Sequence, residues 1–123
     1  RAIAAKAFIA IKTKGAVDVL IRSLNEDPYD AARANAAWAL GKIGDKAAVP
    51  HLRDATDDED TFVRLRSVSA LKELRSKDAI PELIERLEDS SPMVAERAME
   101  ALQELTGMRR GKDPEKWKKA LGL

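Results

Sequence analysis

Arg33-Ala34-Asn35-Ala36-Ala37-Trp38-Ala39-Leu40-Gly41-Lys42-Ile43-Gly44-Asp45 is the stretch that decides the fold, because its apolar positions recur along the chain. Leu40 is followed by Leu71 and Leu102, Ile43 by Leu74 and Leu105, and Ala39 by Ala70 and Ala101, each at an interval of 31 residues. A second set runs Val17, Val49, Ile80 and Leu20, Leu52, Leu83, at intervals of 32 and then 31. A repeat of this length is the mark of stacked helical hairpins, each too small to bury its apolar face alone. The expectation is an all-α fold, an α-solenoid forming a superhelix.

The register divides the chain as one repeat domain over 1–123. It comprises a half repeat at 1–12, full repeats at 13–44, 45–75 and 76–106, and a capping helix within 107–123. Each full repeat has an A helix and a B helix. The A helices are expected near 15–25, 46–56 and 77–88, and the B helices near 29–43, 61–75 and 92–106. The A helices carry apolar residues at i, i+3, i+7, one helical face, as in Val17, Leu20 and Leu24. Thr56 interrupts this stripe in the second unit. Thr13, Asp45 and Ser76 precede the A helices, and Asp60 and Ser91 precede two B helices, where side-chain oxygens can accept orphan N–H groups. Pro28, Pro50, Pro81, Pro92 and Pro114 fall in first turns or their approach, where a missing N–H costs little. Gly15, Gly44 and Gly107 mark hairpin boundaries. Arg1 lies 32 residues before Arg33 and so inside a B helix, which leads us to expect further repeats upstream.

Hydrophobic residues make up 45% of the chain and aromatics only 4%, so the core is built from small aliphatic side chains. Twenty-two cations oppose 21 carboxylates. That balance disfavours nucleic acid or anionic membrane as the main partner. The absence of cysteine removes disulfides, thiolate catalysis and cysteine-ligated zinc. No apolar run reaches membrane-spanning length and no leader pattern is visible, so the expected compartment is the cytoplasm.

The quoted stretch, followed by Ala48-Val49-Pro50-His51-Leu52, resembles the HEAT repeat, in the short form also found in phycobilisome lyases. Ala79-Ile80-Pro81-Glu82-Leu83 carries the same pattern, and the likeness spans about residues 1–106. Leu105-Thr106-Gly107 and Asp113-Pro114-Glu115-Lys116-Trp117 resemble the ending that follows a last repeat. The resemblance implies B helices on the concave side and a protein partner as the usual role. It also implies a ladder of arginines, Arg33 and Arg64, pairing with turn carboxylates. That ladder should break at Ala95, which stands where the family has Arg. Lys72 and Gln103 replace the family glycine found at Gly41.

The B-helix positions that the pattern leaves free are where a site is expected. They include Asn35, Arg66 and Arg97 in one row, Trp38, Ser69 and Glu100 in the next, and Lys42, Glu73 and Glu104 in the third. Members of a helix lie three or four residues apart and share a face. Trp38 stands out as an aromatic anchor, with Arg66 the expected cation–π neighbour. The bland reading has Trp38 packing over the adjacent helix. Asn35, Trp38, Lys42, Arg66 and Arg97 form the candidate partner-binding set, with no catalytic residue, no metal ligand and no cofactor.

Other features point to structure. Asp57-Asp58-Glu59-Asp60 suits a helix entrance, and Phe62 occupies the position where an EF-hand loop needs glycine. His51 has neither a second histidine nor a cysteine with which to hold zinc. Trp117 is expected to plug the end of the last hairpin. Residues 109–119 set six cations against two carboxylates, which suits a helix C-terminus and less readily a phosphate contact.

The leading expectation is a protein–protein interaction module or scaffold that binds a protein or peptide on its concave B-helix face. The alternatives are a terminal architectural section of a larger HEAT-repeat protein and a bilin-lyase-like subunit, the latter by analogy of fold alone. The lack of any His-Glu pair excludes a di-iron hydroxylase of the related type. Self-association through an apolar N-terminal end, Ile3, Phe8 and Ile11, is a further expectation.

Overall fold

The computed structural model describes the backbone of residues 2–123 and the side chains of residues 13–123. Among the described residues seven α-helices follow in order: α1 (Ala2–Glu26), α2 (Asp30–Ile43), α3 (Val49–Ala55), α4 (Thr61–Glu73), α5 (Ile80–Arg86), α6 (Pro92–Thr106) and α7 (Pro114–Leu121). Short 3₁₀ turns, Lys46–Ala48 and Lys77–Ala79, lead into α3 and α5. No strand occurs among the described residues.

Local chemistry sets most boundaries. The Asp45 carboxylate accepts from Ala47 N–H at 2.9 Å, and that of Asp60 accepts from Phe62 and Val63 N–H at 3.0 Å each. Proline occupies the first turn of α3, α5, α6 and α7. Gly44 and Gly107 end α2 and α6 in the left-handed region, φ 80° and 73°, which glycine enters without a Cβ clash. Two expectations change. Ser76 and Ser91 stand at N-cap positions but make no side-chain capping bond. Thr13 and Gly15 lie inside α1, which runs on where the register placed a turn. A mid-helix glycine costs only about 1 kcal/mol relative to alanine, so Gly15 alone does not break it.

The hairpins α1–α2, α3–α4 and α5–α6 stack so that α2, α4 and α6 form one layer. The later turns of α1, with α3 and α5, form the other, and α7 packs on α5. The periodic residues fill the space between layers: Leu40, Leu71, Leu102, Leu52 and Leu83 are fully buried. Ile43 departs from this pattern and stays 38% exposed, whereas its repeat equivalents Leu74 and Leu105 are buried. Thr56 is buried too, its hydroxyl donating to the Arg53 carbonyl at 2.7 Å, so the polar residue interrupts the apolar stripe without an unmet hydrogen bond.

The two layers are held differently. The B helices touch through small residues, and a Cβ added to Gly41 would lie 2.9 Å from both Cα and Cβ of Ala70. The A helices approach one another far less closely and are bridged by polar side chains. Asn25 meets the His51 ring at 3.0 Å, and Arg53 meets Glu82 at 2.7 Å. The B-helix layer is therefore the more tightly packed of the two.

Between units, arginines reach forward to the next turn. Arg33 grips both oxygens of Asp58 at 3.0 and 3.1 Å and donates to the Asp27 carbonyl oxygen. Arg64 repeats the arrangement one unit on, gripping Asp89 at 2.9 and 3.1 Å and donating to the carbonyls of Asp58 and Glu59. Asp58 and Asp89 also accept backbone N–H groups from Asp60 and Ser91. The ladder stops at Ala95, which is buried. Burial favours the neutral form of Asp89. Hydrogen bonds from Arg64 and the Ser91 N–H, with the charges of Arg64 and Arg86, outweigh it and hold the carboxyl below its ordinary value.

Two predictions follow from this packing. Gly41→Ala forces the backbone of Ala70 to shift. Overpacking of about 1–3 kcal/mol exceeds the ~1 kcal/mol helix-propensity gain, so urea unfolding should move to lower concentration. Asp89→Ala removes the partner of a buried guanidinium and should destabilise by about 3 kcal/mol. Because the folded-state pKa of Asp89 is lowered, its contribution is complete above the ordinary carboxyl pKa and disappears as pH falls through the folded value. Asp89→Asn should therefore flatten the acid limb of a stability–pH curve, and an unchanged limb would contradict this account.

Candidate functional site: the B-helix face

The free positions of α2, α4 and α6 share the B-helix layer, because residues one turn apart on each helix point the same way and the helices stack side by side. Asn35 and Arg66 line a cleft of about 280 Å³ between the first turns of α2 and α4. Ala31 and Ala34 are among its lining residues, together with Phe62. The cleft exists because Ala31 stands where Phe62 and Met93 stand in the next two units. Phe62 is 58% exposed.

One turn deeper on α2, Trp38 is 48% exposed although it belongs to a helix whose core positions are buried. Lys42, on the same helix, places its ammonium 5.7 Å from the centre of the indole and 3.2 Å from a Glu73 carboxylate oxygen. The cation beside Trp38 is thus Lys42 and not Arg66. The i, i+4 spacing brings Lys42 over the ring on its own helix, whereas Arg66 is on the neighbouring helix beside Asn35. Arg66 is exposed and forms no ion pair or side-chain hydrogen bond among the described residues. Arg97 leans back onto α4, donating to the Ser69 hydroxyl, and lies 3.7 Å from Glu100.

The five candidate residues thus fall into two groups. Asn35 and Arg66 flank the cleft, with Arg97 in the same row on α6. Trp38 and Lys42 form a stacked pair tied to Glu73. Phe62 was not singled out by sequence reasoning as part of a site. Its signal was present in the repeat register, where Ala31, Phe62 and Met93 share one position on the second residue of each B helix or its equivalent.

Elsewhere, the acidic turn is occupied by structural contacts, Asp58 with Arg33 and Asp60 with the start of α4. Among the described residues no group of three or more His, Asp or Glu side chains is placed to hold a metal ion. No described helix is long and apolar enough to cross a membrane. Trp117 is fully buried, its indole N–H donating to the Gly111 carbonyl at 2.7 Å. The side chains of Ile3, Phe8 and Ile11 lie outside those described.

The HEAT-repeat family model matches residues 1–72 and again residues 55–116. This chain belongs to the HEAT-repeat family. HEAT repeats generally mediate protein–protein interaction, so the family turns attention to exposed side chains that packing does not require. No curated protein matches the chain.

The contrast between the two tryptophans can be checked directly. With Trp38 half exposed and Trp117 enclosed, Trp38→Phe should lower acrylamide quenching of the remaining emission several-fold. It should also change unfolding stability by no more than about 1 kcal/mol.

Proposed function

We propose that this HEAT-repeat chain is a protein-interaction module that takes a segment of another protein on its B-helix face. Trp38 acts as the anchor, and Asn35, Lys42, Arg66 and Arg97 orient the segment. The observation that carries this reading is the half-exposed indole on the B-helix layer, with a cation from its own helix beside it. A large aromatic surface gives burial energy at small entropic cost, which is why tryptophan dominates binding hot spots. Around it, amide and guanidinium groups can bond backbone carbonyls and carboxylates, giving orientation more than affinity.

Selection from a random peptide display library on the intact chain tests this reading. Enriched peptides should bind with affinities that fall tenfold or more with Trp38→Ala, while the variant keeps the parent's helical circular dichroism. Equal affinity for both chains, or no enrichment at all, would move the function off this face and favour a purely architectural role.

A further inference from the structure

The row formed by Asn35, Arg66 and Arg97 crosses the three helices of the B-helix layer, with one polar side chain offered per repeat. Adjacent packed helices lie about 8–10 Å apart, and α4, which carries Arg66, packs directly against α6, which carries Arg97. A polyproline II segment has three residues per turn and rises ~3.1 Å per residue, so side chains at i and i+3 point the same way about 9 Å apart. A β-strand does not match this row, because its side chains at i and i+3 point to opposite faces.

The chemistry along the row is graded. Arg66 has no carboxylate partner among the described residues. Arg97 is held in place by the Ser69 hydroxyl, with the more distant Glu100 half exposed. At the first unit the row offers the neutral amide of Asn35, and Asp30 lines the same cleft. Phe62 and Met93 stand one turn before Arg66 and Arg97 and are 58% and 53% exposed, a pair of apolar surfaces at the same one-repeat interval. Aromatic-lined grooves suit the preformed polyproline helix, which loses little entropy on docking.

We propose that the segment bound on this face is an acidic polyproline II stretch carrying two carboxylates three residues apart. One pairs with Arg66 and the other with Arg97. The residues between them pack on Phe62 and Met93, and a neutral residue enters the cleft between α2 and α4. Asp30 repels a third carboxylate there. This rests on the reading of the B-helix face as the interaction surface and adds the chemical class of its partner.

Two fluorescent octapeptides of equal composition test it, Pro-Pro-Glu-Pro-Pro-Glu-Pro-Pro and Pro-Pro-Pro-Glu-Glu-Pro-Pro-Pro, titrated with the full chain by anisotropy at low salt. The first should bind about two- to fivefold more tightly, the scale of one partly exposed ion pair. Arg66→Gln and Arg97→Gln should each weaken it by a similar factor and remove the preference, with helical content unchanged. Equal binding of the two peptides, binding unaffected by both arginine variants, or no binding would overturn the proposal. If the display selection yields peptides that depend on Trp38 but show no paired carboxylates, the interaction surface stands and this partner class falls.

Discussion

Everything in this molecule depends on how one hairpin is fixed on the next. The repeating tie is a guanidinium on a B helix that grips both oxygens of an aspartate in the following turn, Arg33 with Asp58 and Arg64 with Asp89. Each aspartate also accepts the N–H two residues on, in Asp60 and Ser91. One side chain therefore shapes its own turn and receives the previous unit. A bidentate pair has a single geometry, so the tie sets rotation as well as distance between repeats. The Asp89 side chain is almost wholly enclosed, and enclosure makes its loss costly in a way that a surface pair would not be.

Apolar packing then works within that register. Small residues on the B helices allow close contact, most tightly where Gly41 meets Ala70. The A helices are kept further apart and are joined by longer side chains such as Arg53 and Glu82. The side-by-side packing of α2, α4 and α6 places the free B-helix positions on neighbouring helices of one layer. Its polar rows carry one side chain per repeat, as in Asn35, Arg66 and Arg97.

The sequence by itself determined the all-helical architecture, the repeat period and the helices of the second and third units. Those follow from periodic Leu, Val and Ala residues, and from proline and glycine at the helix ends, all local or short-range signals. It also located the Arg33 and Arg64 ladder and its end at Ala95, by resemblance to the family. The continuity of α1 was not legible, since Thr13 and Gly15 carry boundary chemistry that the helix simply absorbs. The burial of Leu74 and Leu105 against the partial exposure of Ile43 was likewise hidden, because equivalent positions read alike in a periodic sequence. Only the tertiary structure decided that Lys42, not Arg66, stands over Trp38, and that Ala31 opens a cleft walled by Phe62. The physical reason is the same in each case. Repeat register says which residues are equivalent, but exposure and pairing depend on which side chains the neighbouring helices place beside them.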